Sequence, residues 1–255
     1  MKPTWYFLKK ELLEAWRNYH ILIITIVFVI FGIEGPLMAK LTPDILKMAA
    51  NSSQIVIKLP DPTSVDAWQQ YYKNMTQIGI YLLAVIFSGT VSSELSRGTL
   101  INLVTKGLPR YAIILSKYIM AMIQWIIAVL LAFLINWAYT AYYFPDTKTP
   151  NIWMGMWPLL VFGLLFVAVT ILGSTFGKSN YMGFLLAVAV FIVLTLLNMF
   201  KNVKHWNPIS LVSDNMSLVQ GTEKITHLLP AVWVTIGSAI VIVILAITIL
   251  KKKRL

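Results

Sequence analysis

The chain contains no cysteine, which removes disulfides, thiolate metal sites and cysteine nucleophiles together. Histidine is nearly as scarce. His20, His205 and His227 stand alone, with no HExxH pair and no carboxylate cluster at ligand spacing, so neither a metal site nor a catalytic residue is expected on this chain. No GxSxG nucleophile elbow occurs either. Charge is the third shortage: 12% of the 255 residues are charged, against roughly 25% in an average protein. A soluble globular protein is thereby excluded. With 58% hydrophobic residues and a mean hydropathy of +0.75, the solvent is a bilayer.

Six apolar stretches approach or exceed the roughly 20 residues that a spanning helix needs. They are Ile21 to Ala39, Gln77 to Ser92, Tyr111 to Tyr143, Ile152 to Phe176, Tyr181 to Phe200 and Pro230 to Leu250. The third would measure about 50 Å as a helix, so it must tilt, bend or project from a hydrocarbon core of about 30 Å. The expected fold is an all-α integral membrane protein, one domain over 1–255. It comprises an interfacial helix at 1–20, spans one and two over 21–92 with an external loop at 40–75, a cytoplasmic loop at 93–110, and spans three to six with a cationic tail over 111–255. Nothing at the amino terminus reads as a cleavable signal peptide, so the first span is expected to remain in the mature protein.

The net charge of +11 is read as topology, not as affinity for nucleic acid. Thirteen of the 21 basic residues fall in 1–20, 93–117, 177–180 and 251–255, which share one side of the membrane if there are six spans. By the positive-inside rule that side is cytoplasmic, and both termini lie there, as expected for a multi-pass protein of the cell membrane. Six of the ten acidic residues fall on the opposite side.

Trp5, Leu8, Leu12, Trp16 and Tyr19 recur at three- and four-residue intervals while Lys9, Lys10, Glu14 and Arg17 take the other side. This amphipathic helix suits the headgroup plane, with membrane lipid as partner, or the surface of a partner protein. The tail Lys251-Lys252-Lys253-Arg254 reads as a stop anchor at anionic lipid. External segments 40–75 and 201–229 exceed simple turns and have room for short or re-entrant helices, provided protein shields their backbone. Their three sequons, beginning at Asn51, Asn74 and Asn215, are given no role.

Gly173-Ser174-Thr175-Phe176-Gly177-Lys178-Ser179 looks like a phosphate-binding loop but is one residue short between its glycines and follows no strand. Gly173 and Gly177 read instead as a close helix contact and a tight turn. Glu34, in Ile33-Glu34-Gly35-Pro36, is the intramembrane charge. It faces a cavity or partner, or it is a solvated carboxylate where Gly35-Pro36 breaks the helix. Gln77, Gln124, Asn136 and Asn198 are the other polar side chains of the spans; they bond helix to helix or line a substrate path.

Between spans two and three the chain reads Glu94-Leu95-Ser96-Arg97-Gly98-Thr99-Leu100-Ile101-Asn102-Leu103-Val104-Thr105-Lys106, and Lys117 opens the third span. Leu95, Thr99 and Leu103 share a helical side with Leu100 and Val104 beside them, leaving Glu94, Arg97 and Lys106 wet. Such a short amphipathic helix can seat an apolar ridge in a groove on a cytoplasmic protein, or pack as a connector on its own spans. The Glu, Gly-Thr-Leu, leucine-rich turn and following Lys resemble the type-2 permeases of ATP-binding-cassette (ABC) transporters. The order of elements is similar over essentially the whole chain. The resemblance implies that Glu94, Leu95, Arg97, Gly98, Thr99, Leu100, Leu103 and Lys106 form a coupling helix seated on a separate ATPase subunit. It also implies pairing with a second copy or a similar chain. No cofactor is expected on this chain, Mg-ATP belonging to the partner. The 43 Met, Trp, Tyr and Phe residues suit amphipathic cargo, and peptide exporters such as those for phenol-soluble modulins or bacteriocins are the narrower resemblance. An ATP-independent channel or ion-extruding protein, and a non-transporting immunity or scaffold protein, are the competing readings.

Overall fold

A computed structural model describes residues 2–52, 61–177 and 179–253. Among these, every regular element is a helix. The amphipathic α1 (Lys2–Arg17) turns at Tyr19 into α2 (His20–Ser52). Helix α3 (Ser64–Asn74) passes through one π-helical turn (Met75–Gly79) into α4 (Ile80–Ser88). Two short helices follow, α5 (Ser92–Ser96) and α6 (Thr99–Thr105), before the long α7 (Arg110–Tyr143). Then come α8 (Ile152–Phe176), α9 (Met182–Leu197) and three short helices, α10 (Lys201–Lys204), α11 (Ser210–Ser213) and α12 (Asn215–Val219). A 3₁₀ turn (Ile225–Leu228) leads into α13 (Leu229–Lys252).

Five of these rods are long and apolar enough to cross a bilayer, and α9 is a shorter apolar sixth. At 16 residues α9 reaches about 24 Å, short of a full hydrocarbon core. The deficit is met by protein. Asn207 is buried, and its side-chain amide donates to the Leu194 carbonyl at 2.7 Å, capping the end of α9. Ile209, Leu211, Val212, Leu218 and Val219 carry α11 and α12 into the core, where both pack on α8. Segment 201–229 therefore holds, in α11 and α12, the shielded short helices that its length allowed, while α10 is exposed.

Segment 40–75 differs from the expected external loop. Helix α2 runs unbroken through Pro36 and Pro43, and the second span begins as a helix at Ser64, not near Gln77. Gly35-Pro36 does not break the helix, because Gly35 is a contact point. A Cβ there would lie 2.5 Å from Asn136 Oδ1 and 2.9 Å from the Ala67 carbonyl. Proline in a membrane helix persists where neighbouring helices support the freed backbone. Residues 53–60, and with them Pro60, lie outside the described residues, as do Lys178 and Arg254.

Helix α8 sits in the middle, packed against α13, α9, α4 and α7, with no exposed residue from Pro158 to Thr175. This follows from a helix apolar all round. Small residues set its contacts. Gly173 and Gly177 receive the start of α9, as the GxxxG spacing predicts: a Cβ on Gly173 would lie 2.8 Å from the Met182 carbonyl. On the facing helix, a Cβ on Gly183 would lie 2.7 Å from the carbonyls of both Ser88 and Thr170.

Both termini reach the end of the bundle where α7 begins. Arg110 Nη1 donates to the carbonyls of Leu250, Lys251 and Lys253 at 2.7–2.9 Å, capping α13, and Lys253 Nζ donates to the Thr175 carbonyl at 2.9 Å, capping α8. Cations at helix carboxy-termini satisfy orphan carbonyls and oppose the helix dipole. The tail is thus a structural clasp, beyond the lipid anchor expected of it. Asn74 and Asn215 are buried, which removes both sequons as surface sites. Gly183→Ala is predicted to cost about 1–3 kcal/mol, since its neighbours are backbone and cannot swing away; a lowered thermal unfolding midpoint in detergent checks this.

Candidate functional site

The loop between spans two and three is a bent pair of helices, not one. Gly98, at φ +70°, separates α5 from α6. That left-handed conformation is one glycine adopts freely. The bend turns Leu100 fully into the core, while Leu95 and Leu103 pack against it half-buried. Arg97, Thr99, Ile101, Asn102, Thr105 and Lys106 remain on the outer face. The ridge Leu95–Leu100–Leu103 therefore faces this chain's own bundle, and the free face is the polar one with Ile101 in it.

Glu94 is not wet. It is buried, its side chain 11% exposed, and it receives Lys10 Nζ at 2.5 Å and Lys117 Nζ at 3.1 Å. The Lys117 contact is an ion pair without hydrogen-bond alignment at Oε2. Lys117 in turn binds both oxygens of Glu11 at 3.0 and 3.2 Å, and Lys10 reaches Glu11 at 3.2 Å and Glu14 at 2.6 Å. Phe7 lies beneath both ammonium groups, at 5.1 and 5.7 Å from its ring centre. Three elements distant in sequence, α1, α5 and α7, are thus joined by one ionic cluster. Ser116 Oγ adds a bond to the Thr4 carbonyl at 3.0 Å.

A second attachment lies at the start of α5. The buried Ser174 hydroxyl oxygen on α8 accepts from the N–H groups of Val91 and Ser92 at 3.0 and 3.2 Å, and Ser92 Oγ donates to Asn180 Oδ1 at 3.2 Å. Short helix α5 is thereby held by α1 and α7 on one side and by the α8–α9 turn on the other. Thr99 Oγ1 donates to the Glu94 carbonyl at 3.0 Å, tying α6 to the same residue.

The burial of α1 explains the cluster. Its inner face is Phe7, Lys10, Glu11, Glu14 and Ala15, while Trp5, Leu12, Trp16 and Tyr19 point outward. The aromatic stripe read from the sequence is therefore exposed, but Lys10 and Glu14 do not share the solvated side expected of them. Burial opposes the Lys10 charge, yet Glu11, Glu14 and Glu94 outweigh it and hold the ammonium above its usual range. Burial likewise opposes ionisation of Glu14, and the hydrogen bond and charge of Lys10 with the charge of Lys117 overcome it, lowering its pKa. Glu11, Glu14 and Glu94 offer oxygens within 4.8 Å of one another, a spacing a metal can use. Two ammonium groups already stand among those oxygens, so the donor set is a salt-bridge network.

The polar residues of the spans separate into two places. Gln77 and Asn198 come together in a half-open hollow of about 460 Å³ with Thr76, Tyr81, Phe191 and Thr195. Gln77 is exposed there, and Asn198 Oδ1 and Thr76 Oγ1 are buried without hydrogen-bond partners. The π-helical turn carries Gln77, and such turns recur at functional sites. Gln124 is buried and lines a separate cavity of about 370 Å³ beside the ionic cluster. Asn136 is fully buried against Gly35, with neither amide atom bonded. The adjacent Glu34 is half-buried.

Sequence reasoning missed Lys10 and Lys117 as partners of Glu94, Glu11 and Glu14 as the carboxylates that share those lysines, and Ser174 and Asn180 as partners of the start of α5. One signal was available: Glu11 and Glu14 share the face of α1 opposite the aromatic stripe.

A profile of the family described as ABC-2 family transporter protein matches residues 5–253. The chain belongs to that family. Comparison with curated proteins yields no significant match. This ABC-2 protein is accordingly a multi-pass membrane subunit of an ABC transporter, all-α, and the bent helix pair is its loop between the second and third spans.

Two outcomes test the cluster. Lys117→Met leaves two buried carboxylates short of a counter-charge and is predicted to destabilise the protein by about 3–5 kcal/mol; adding Glu94→Gln restores part of that loss, read as non-additive unfolding free energies. Glu14 has a lowered pKa when α1 is docked, so its contribution is present above the usual carboxylate value near 4.3. It is lost as pH falls through the docked value. Hydrogen exchange of α1 amides is expected to rise below about pH 4, and Glu14→Gln to flatten that rise.

Proposed function

We propose that this chain is the membrane-spanning half of an ATP-driven exporter. A separate ATPase subunit docks beneath α5 and α6, Mg-ATP binds there, and a second copy of this chain completes the translocation path. The termini end is cytoplasmic, and the protein resides in the cell membrane. The observation that carries this reading is the fastening of α5 through Glu94 to Lys10 and Lys117, and through Ser92 to Ser174 and Asn180. A connector needs no such double anchorage. A lever that passes force from a docked subunit into the first, third, fourth and fifth spans does.

The docking face in this reading is Arg97, Ile101, Asn102, Thr105 and Lys106, with Leu95, Leu100 and Leu103 holding the lever to the bundle. Glu94 is the hinge pin of the lever, and Gly98 and Thr99 shape its bend. The hollow at Gln77 and Asn198 supports cargo handling: aromatic Tyr81 and Phe191 stand beside amide and hydroxyl groups. Such a lining suits an amphipathic peptide or similar compound. Glu34, Gln124 and Asn136 serve the helix interfaces.

The test is reconstitution with the cognate ATPase and measurement of ATP turnover with cargo efflux. Ile101→Asp with Lys106→Glu is predicted to lower coupled turnover at least tenfold while the thermal midpoint of the permease changes little, because both side chains are exposed. Unchanged turnover in that variant, or efflux by the permease alone, overturns the proposal.

A further inference from the structure

The elbow between α1 and α2 encloses an apolar hollow of about 380 Å³, lined by Trp16, Tyr19, Ile21, Leu22, Thr25 and Ile26. No part of the described chain covers it. Trp16 is 72% exposed, Tyr19 67% and Leu22 54%. At its corner stands Tyr19, the single non-glycine residue with positive φ among those described, at 59°. A tyrosine in the left-handed region is strained, and strain retained by a non-glycine residue points to a use for its side chain. Tyr19 also joins the two helices, donating its N–H to the Trp16 carbonyl at 3.3 Å while its own carbonyl accepts from Ile23 at 2.9 Å.

We propose that this elbow is a binding site for an anionic phospholipid. Position chooses the occupant. Helix α2 is a membrane span that begins at His20, so the hollow lies where headgroup meets acyl chain, aromatic at the mouth and aliphatic along Leu22 and Ile26. Charge chooses the headgroup. Arg17, in the last turn of α1, is exposed and makes no ion pair among the described residues, while the nearby Glu14 is engaged by Lys10 at 2.6 Å. An acyl chain lies along α2, and the phosphate meets Arg17 and the Tyr19 hydroxyl. Because the opposite face of α1 holds Glu94 through Lys10, the lipid steadies the helix that anchors α5.

The experiment uses the full chain in nanodiscs of phosphatidylcholine doped with brominated phosphatidylglycerol or brominated phosphatidylcholine. The difference in tryptophan quenching between the native protein and Trp16→Phe isolates Trp16. Brominated phosphatidylglycerol is expected to quench Trp16 at about one-fifth the concentration that phosphatidylcholine requires, as one basic residue warrants. Arg17→Gln abolishes that preference. Tyr19→Gly relieves the backbone and so folds, yet weakens quenching by both lipids because the wall of the hollow is gone. Equal quenching by the two lipids in the native protein, or a preference that survives Arg17→Gln, overturns the proposal. So does a change of oligomeric state in Tyr19→Gly with quenching intact, which assigns this face to a second copy.

Discussion

The ion cluster around Glu94 is the constraint from which the rest of this structure follows. A carboxylate buried at the end of a membrane bundle is tolerated only with matched counter-charges. Here they come from α1 and α7, with Phe7 beneath both ammonium groups. Satisfying Glu94 fixes α1 against the bundle, fixes the bend at Gly98, and leaves the polar side of α6 outward. A network of this kind contributes less net stability than its bonds would sum to. It does fix a single arrangement of the three elements, because any other leaves a buried charge unpaired.

The spans were legible because a bilayer allows few solutions. Apolar stretches of the right length had to be helices, and the stretch at 111–143 became α7 nearly residue for residue. Segment 40–75 had room for short helices, but the continuation of α2 to Ser52 and the helical start of the second span at Ser64 were missed because the segment is not apolar. Asp44 and Asp66, counted to the external side, lie on helices, in the last part of α2 and on α3. Gly35-Pro36 was one possible break, and α2 runs through it. Hydropathy reports where a chain enters lipid, and does not report how far a helix continues beyond it.

The coupling segment shows the same limit at finer scale. Its amphipathic pattern was visible, but periodicity left open what the apolar face meets, because apolar residues can bury against a partner or against the chain's own spans. Leu100 at 0% exposure decides for the latter. Glu94 was read as solvated because its partners lie 84 and 23 positions away, at Lys10 and Lys117, where periodicity has no reach. The GxxxG contact at Gly173 and Gly177 was legible, since small residues one turn apart have one common use in a membrane helix.

If the bent pair moves with the bundle as a rigid lever, fastening it further to α8 and α9 changes nothing. The absence of native cysteine makes that experiment clean. In the double variant Ser92→Cys with Asn180→Cys, placed where the two side chains meet at 3.2 Å, ATP turnover and cargo efflux of the reconstituted complex are compared before and after oxidation. Equal rates in the oxidised and reduced forms are predicted. Loss of coupled turnover on oxidation, restored by reductant, would show that α5 slides against its neighbours and that force does not pass through this joint.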